Sequence, residues 1–234
     1  MFVPLPVSKL QEFSEGTPWI VIPFRDNAEQ DRANQLKRFV SHMTRYHPDW
    51  YVLIIEQSDD GRKFNRGALL NIGARIAYKQ GAKYVIFHDV DLLPLAPIVP
   101  YYEVYPSSPI HIGKAWVDKY DYERFFGGVV SISMEDLQKS NGFPNQFWGW
   151  GGEDDALRER LNHKGIQIYQ PVMRHGFREL PHVNTSTKKE WTNLRKRADV
   201  QGDTGRMGVR TIQWTPLAEE VLSPSAKKYT VELK

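Results

Sequence analysis

Three carboxylates stand side by side in the stretch FWGWGGEDDALRERL, where Glu153, Asp154 and Asp155 follow Trp148, Trp150, Gly151 and Gly152. Acids in the first turn of a helix are favoured by its dipole, so a helix start after a Gly-Gly turn accounts for them. Their adjacency exceeds what a helix start requires: neighbouring carboxylates repel, and such crowding raises one pKa towards a value useful for accepting a proton. The two tryptophans read as core or, alternating with glycines in a loop, as a platform for the apolar face of a sugar ring. A second acidic group, HDVDLLP, puts Asp89 and Asp91 one residue apart. In an extended segment both carboxylates project to one side, the arrangement for gripping a divalent cation, although acid-x-acid turns are also common in charged chains. In FNRGALLNIG, Asn65 and Arg66 precede a helix. A helix start beside a guanidinium suits a diphosphate; an ordinary Asn65 cap with a surface arginine explains the same letters. Arg25 carries the same choice between a phosphate contact and a solvated charge.

The elements that must position these residues follow from hydrophobic periodicity. WIVIPF (Trp19–Phe24) and YVLIIEQ (Tyr51–Gln57) are apolar, β-branched runs and predict buried strands, as does KYVIFHD over 83–89. Between them, Leu36, Phe39, Val40 and Met43 recur at helical spacing up to Tyr46, with Asp26 and Glu29 as the expected capping box. Leu69, Leu70, Ile72, Ile76 and Ala77 mark a second helix. Alternating strands and helices predict an α/β sheet with right-handed crossovers, in which ligands bind at the carboxyl ends of strands. Asp89 falls at such an end. Further on, 127–133 predicts a strand, 135–140 a short helix and Glu153–His163 a longer one. From 174 to 210 the chain is polar with little periodic apolar content and predicts a long mobile loop.

Composition narrows the classes. The 234 residues suffice for one compact domain, and the 41% hydrophobic and 25% charged content is globular. No apolar run approaches the roughly 20 residues of a membrane-spanning helix, and the N-terminal residues lack a secretory signal pattern. With no cysteine, disulfides and thiolate metal sites are excluded. A net charge of +3 gives no reason to expect a nucleic-acid partner, and the basic residues Lys188, Lys189, Arg195, Lys196 and Arg197 read as a solvated face.

FNRGALLNIG, HDVDLLP, FFGGVVSIS, NGFPNQFWGWGGEDD and MRH, in this order and spacing, resemble the β-1,4-galactosyltransferase family, glycosyltransferase family 7, over about residues 23–214. The resemblance implies a single α/β GT-A domain. Its Rossmann-like nucleotide-sugar half, over about 18–110, would contain a mixed central sheet. The acceptor half, over about 111–234, would carry a flexible C-terminal lid loop. It also implies an inverting transferase that uses Mn2+ to move galactose or N-acetylgalactosamine from a UDP-sugar to a sugar hydroxyl of a glycan or glycoside, forming a β-1,4 linkage. Carried over by position, Arg25, Phe64, Arg66, Asp89, Phe125 and Gly152 match donor-binding residues, and Trp150 matches a tryptophan between donor and acceptor. Glu153 and Asp155 match acceptor-binding acids, and Asp154 matches the catalytic base, itself in contact with the acceptor. Asp91 and His175 match metal ligands, with Met173 or His182 as the third.

The sequence departs from the family pattern in places. Asn27 stands where an arginine is frequent, Phe125 where a tyrosine helps select the donor sugar, and Phe177 where the xylose-acting branch has histidine. GWGGED resembles the N-acetylglucosamine-acting members, whereas HDVDLLPL resembles the xylose-acting branch. Animal members carry a membrane anchor and cysteines, so the chain reads as a soluble, cytoplasmic version of bacterial or viral type, or as an excised domain of a Golgi-lumen enzyme. A non-catalytic sugar-binding relative and a metal-dependent UDP-sugar hydrolase are the competing readings.

Overall fold

WIVIPF is buried along its whole length because its two faces serve different cores. Ile20, Ile22 and Phe24 join one apolar cluster, and Trp19 and Val21 join the other. That alternation is what a strand in the middle of a covered sheet must have. The computed structural model describes residues 2–26, 28–116, 125–149, 151–181 and 199–234. In chain order the strands and α-helices are β1 (Phe2–Leu5), β2 (Trp19–Phe24), α1 (Arg32–Tyr46), β3 (Tyr51–Gln57), α2 (Arg66–Lys79), β4 (Tyr84–His88) and β5 (Leu92–Pro94). They continue with β6 (Val129–Ser133), α3 (Met134–Ser140), α4 (Glu153–His163), β7 (Ile168–Pro171), β8 (Phe177–Glu179), β9 (Trp214–Ser223) and β10 (Ala226–Leu233).

The central sheet has the order β6-β4-β2-β3-β10-β9. β4, β2, β3 and β10 run parallel, while β6 and β9 pair antiparallel at the two ends, so the sheet is mixed. Leu36, Phe39, Val40 and Met43 seat α1 on one face; Leu69, Leu70 and Ile72 of α2 and Leu157 and Leu161 of α4 cover the other. Two short pairings sit beside the sheet, β1 with β7 and β5 with β8.

α2 lies close to the sheet because Gly73 faces it. A Cβ there would stand 2.2 Å from Val21 Cγ1 and 3.0 Å from Ile55 Cγ1, with no flexible side-chain end to give way. Gly73→Ala is expected to destabilise the chain by ~1–3 kcal/mol through overpacking, read as a lower urea midpoint at unchanged slope.

Several sequence expectations are corrected. The Asp26 and Glu29 capping box does not form: a 3-10 turn occupies Ala28–Gln30, and α1 starts at Arg32 behind Asp31, which is left-handed with φ 55° and gives no side-chain cap. The β9–β10 hairpin and β1 have no counterpart in the periodicity, since β9 is mostly exposed and carries Pro216, Glu219 and Glu220. Nor are the described parts of 174–210 uniformly loop. Phe177–Glu179 pairs with β5, and Arg160 holds Asp203 by two bonds of 2.6 and 2.7 Å while also reaching the Met207 carbonyl. Residues 182–198 of that expected loop lie outside the described residues, as do Asn27, Trp150 and His182.

Candidate active site

Arg66 is the hub. It opens α2 at the carboxyl end of β3, where Asn65 caps the helix by accepting from Ala68 N at 3.0 Å. The Asn65 amide also donates to the Asn145 carbonyl at 2.7 Å, and its backbone N–H donates to Gln57 Oε1 at 2.8 Å. Asn71, nearly two turns further along, donates to Phe143 O and Asn145 Oδ1. This buried amide network ties the start of α2 to the loop that precedes α4. The position of Arg66 relative to the acids of α4 is set there.

The Arg66 guanidinium reaches Asp89 Oδ1 from Nε at 3.1 Å and from Nη2 at 2.8 Å, Asp154 Oδ1 at 2.8 Å and Glu153 Oε1 at 3.5 Å. One cation therefore faces three carboxylates. Burial disfavours the charged guanidinium, but the carboxylates overcome it and hold the Arg66 pKa well above its ordinary value. Asp154 goes the other way. Burial pushes its carboxyl up to about 8, opposed by Arg66 and reinforced by the nearby Glu153 and Asp89 charges. The raised carboxyl is thus the middle acid, and burial contributes more to it than the crowding that the sequence suggests.

α4 begins behind Gly151 and Gly152, with φ values of 83° and 90° that a side chain would resist. This sharp turn aims Glu153 and Asp154 at Arg66. Asp155 is turned away: 47% of its side chain is exposed and it accepts from Arg158 Nη1 at 2.8 Å. The three acids therefore do not act as one group. Gly127 closes the opposite side, since a Cβ there would lie 2.8 Å from Asp154 Oδ2 and 3.0 Å from the Phe125 ring. Phe125 is thereby brought beside the carboxylate. His111 fixes this bend. Its Nε2 bonds the Gly127 carbonyl at 2.9 Å, its Nδ1 lies 3.1 Å from Gln170 Nε2, and burial lowers its pKa to about 3, so the ring is neutral.

Arg25, just after β2, lies with its Cζ 5.6 Å from the Phe64 ring centroid and donates to the Arg62 carbonyl at 2.7 Å. Arg25, Phe64 and Arg66 thus line the carboxyl edge of the sheet. Trp148 is half-exposed, with Arg62 Cζ 4.8 Å from its ring centroid, so one face of the expected platform already carries a guanidinium.

The acidic pair after β4 departs from expectation. β4 stops at His88 and the chain turns, so Asp89 and Asp91 go to different cations: Asp89 to Arg66, and Asp91 Oδ2 to Arg32 Nη1 at 3.2 Å. Asp91 is buried at 6% exposure. β8 pairs antiparallel with β5, with Leu180 N donating to Asp91 O at 2.7 Å and Leu95 N to Gly176 O at 2.9 Å. Asp91 and His175 therefore sit at opposite ends of one short ladder. His175 is exposed with φ 59°, and Met173 packs against the apolar core. Among the described residues no three His, Cys, Asp or Glu side chains cluster as a metal site.

Sequence reasoning missed Arg32, Gln57, Asn71, His111, Asn145 and Gly127. Two of them left a signal: Asn71 is a polar residue inside an apolar helical run, and Gly127 and Gly128 open a strand without side chains.

Comparison with known proteins gives this arrangement its class. The catalytic domain of Drosophila beta-1,4-galactosyltransferase 7, solved with xylobiose, superposes with a TM-score of 0.76 at 26% identity over 93% of this chain and 94% of that one. A mutant of that enzyme in complex with manganese, UDP-Gal and xylobiose gives 0.75, with the same identity and coverage. The fold is GT-A. Residues 14–102 match the family model described as the N-terminal region of glycosyl transferase group 7, and 109–184 match the N-terminal domain of galactosyltransferase. The xylosylprotein 4-beta-galactosyltransferase of Caenorhabditis elegans is 33% identical over 205 residues, which cover 78% of this chain and 68% of that protein. Beta-1,4-galactosyltransferase 1 of Mus musculus is 39% identical over 161 residues, covering 65% of this chain and 38% of that protein. This chain belongs to the β-1,4-galactosyltransferase family, glycosyltransferase family 7. No helix among the described residues is long and apolar enough to cross a membrane.

Proposed function

We propose that the chain is an inverting, Mn2+-dependent glycosyltransferase that moves galactose or N-acetylgalactosamine from a UDP-sugar to a sugar hydroxyl of a glycan or glycoside, forming a β-1,4 linkage. The observation that carries this reading is the placement of Asp154 and Glu153, at the start of α4, against Arg66 at the carboxyl edge of a GT-A sheet, where burial pushes the Asp154 carboxyl upward. A base poised near neutrality suits removal of a proton from an attacking hydroxyl. Arg25, Phe64, Arg66, Asp89, Phe125 and Gly152 are assigned to the donor, and Glu153 to the acceptor. Trp150 is assigned to both and Asp155 to the acceptor rim, on family position alone.

By family position Asp91 and His175 would hold Mn2+, and a carboxylate with an imidazole is chemically suited to it, being softer than Mg2+ prefers; standing at opposite ends of the β5–β8 ladder, they would have to be drawn together to share one ion. Arg32, 3.2 Å from Asp91, already stands as a cation against that carboxylate. When bound, the metal supplies positive charge that stabilises the leaving diphosphate. Asp154 takes the proton as the acceptor oxygen forms its bond to the anomeric carbon on the face opposite the breaking bond to UDP, which inverts that centre. By family position Met173 or His182 would complete the protein ligands.

UDP release from UDP-Gal, UDP-GalNAc, UDP-Glc and UDP-GlcNAc, measured against N-acetylglucosamine, xylose and glucose glycosides, tests the reading. Acceptor-dependent release from UDP-Gal or UDP-GalNAc is expected, with a β-linked product. Release that ignores the acceptor would favour the hydrolase instead. Asp91→Asn is expected to weaken Mn2+ binding at least tenfold by calorimetry, and excess chelator to stop turnover; activity that survives chelation would refute the Asp91 and His175 assignment.

A further inference from the structure

At the other end of α2 from Arg66, about 20 Å along a 14-residue helix, lies an open cleft of about 800 Å³ between that helix and the start of β9. Arg75, Lys79, Arg210, Lys234 and Trp214 line it, and no Asp or Glu side chain does. Among the described residues no carboxylate pairs with Arg75, Lys79 or Arg210. Arg75 Nη1 instead donates to the Ile212 carbonyl at 2.9 Å and Arg210 Nη2 to the Gln138 carbonyl. Some cations elsewhere on the surface have acidic partners, as Lys139 has Glu135 and Lys227 has Glu219. Arg75 and Lys79 are four residues apart on one helix face, where like charges oppose each other. The Arg75 Cζ also lies 5.0 Å from the Trp214 ring centroid, which holds the guanidinium in place beside an aromatic surface.

Convergent, unpaired and partly immobilised cations around a cleft of ligand size are a recognition site for a multivalent anion. We propose that this cleft binds an acidic oligosaccharide bearing carboxylate or sulfate groups. The cations take the charges, with Trp214 holding the Arg75 guanidinium in place. Choosing carbohydrate over other anions rests on the transferase reading above; the anion site itself rests only on the cleft.

Calorimetric titration of the full chain with four probes tests this. The probes are a hexasaccharide of alternating uronate and sulfated amino sugar, its desulfated and carboxyl-reduced counterpart, inorganic phosphate, and a single-stranded hexanucleotide. The acidic hexasaccharide is expected to bind at least tenfold more tightly than the other three. The double variant Lys79→Gln with Arg210→Gln should lower that affinity at least tenfold. Both side chains are exposed, so its melting temperature and UDP affinity should match those of the unaltered chain. Equal binding of phosphate or the oligonucleotide, or undiminished binding by the double variant, would overturn the proposal. UDP-sugar turnover measured on the same preparations separates the two readings, because a chain that binds the hexasaccharide without turnover retains the cleft and loses the transferase.

Discussion

Asp154→Asn is expected to reduce the transfer rate by about 10²–10⁴ while leaving UDP affinity within twofold, because the amide keeps the shape and hydrogen bond but cannot accept the proton. The pH profile carries the sharper signature. With the carboxyl pushed up to about 8 by burial, kcat/KM of the unaltered chain should rise with pH and level off near pH 8, whereas the residual rate of the variant should lack that limb. Stability moves oppositely. A carboxyl whose folded pKa exceeds its ordinary value binds more protons folded than unfolded, so its contribution becomes less favourable from about pH 4 up to about pH 8. Asp154→Asn removes that slope, and its stability relative to the unaltered chain should improve across this window. Unchanged turnover in the variant would remove Asp154 as the base.

Arg66→Gln has the largest expected structural effect. It leaves Asp89, Glu153 and Asp154 facing one another without the cation that now stands 2.8 Å from two of them. Breaking such a pair is expected to cost about 3–5 kcal/mol near neutral pH, or roughly 6–20 °C in melting temperature for a chain of this size. Without the guanidinium the folded pKa of Asp154 should climb further, so the deficit should widen as pH rises and the rising limb of any residual activity should move above pH 8. UDP affinity should fall at the same time. A variant that melts like the unaltered chain at pH 8 would show that the cluster is held by something other than Arg66.

Legibility in the sequence followed burial. Trp19–Phe24, Tyr51–Gln57 and the helix over Glu153–His163 were readable because their apolar residues are spent on the core. The β9–β10 hairpin was not, because an edge strand with exposed Leu217, Val221 and Glu219 carries no one-sided pattern. Within the site, the acids were visible by type and adjacency, but adjacency could not tell which one faces inward. Helical geometry decides that, turning Asp154 to Arg66 and Asp155 to Arg158. Asp89 and Asp91 are the opposite case: their spacing implies one shared side only if the strand continues, and the turn after His88 separates them. Arg32 had no signal, since its partner lies 59 residues away in sequence. Likewise, the buried amides Asn65, Asn71 and Asn145 are ordinary polar letters until the fold joins them.

A crystal structure of the protein with Mn2+, UDP and a bound acceptor tests most directly whether one carboxylate and one cation-held nucleotide meet at a single reacting centre. The account predicts an Asp154 oxygen about 2.6–3.2 Å from the attacking hydroxyl, with Asp91 on the cation and the diphosphate on the opposite side of that hydroxyl. An acceptor hydroxyl bound to Glu153 or solvent with Asp154 still locked on Arg66, or a metal seated away from Asp91, would contradict it.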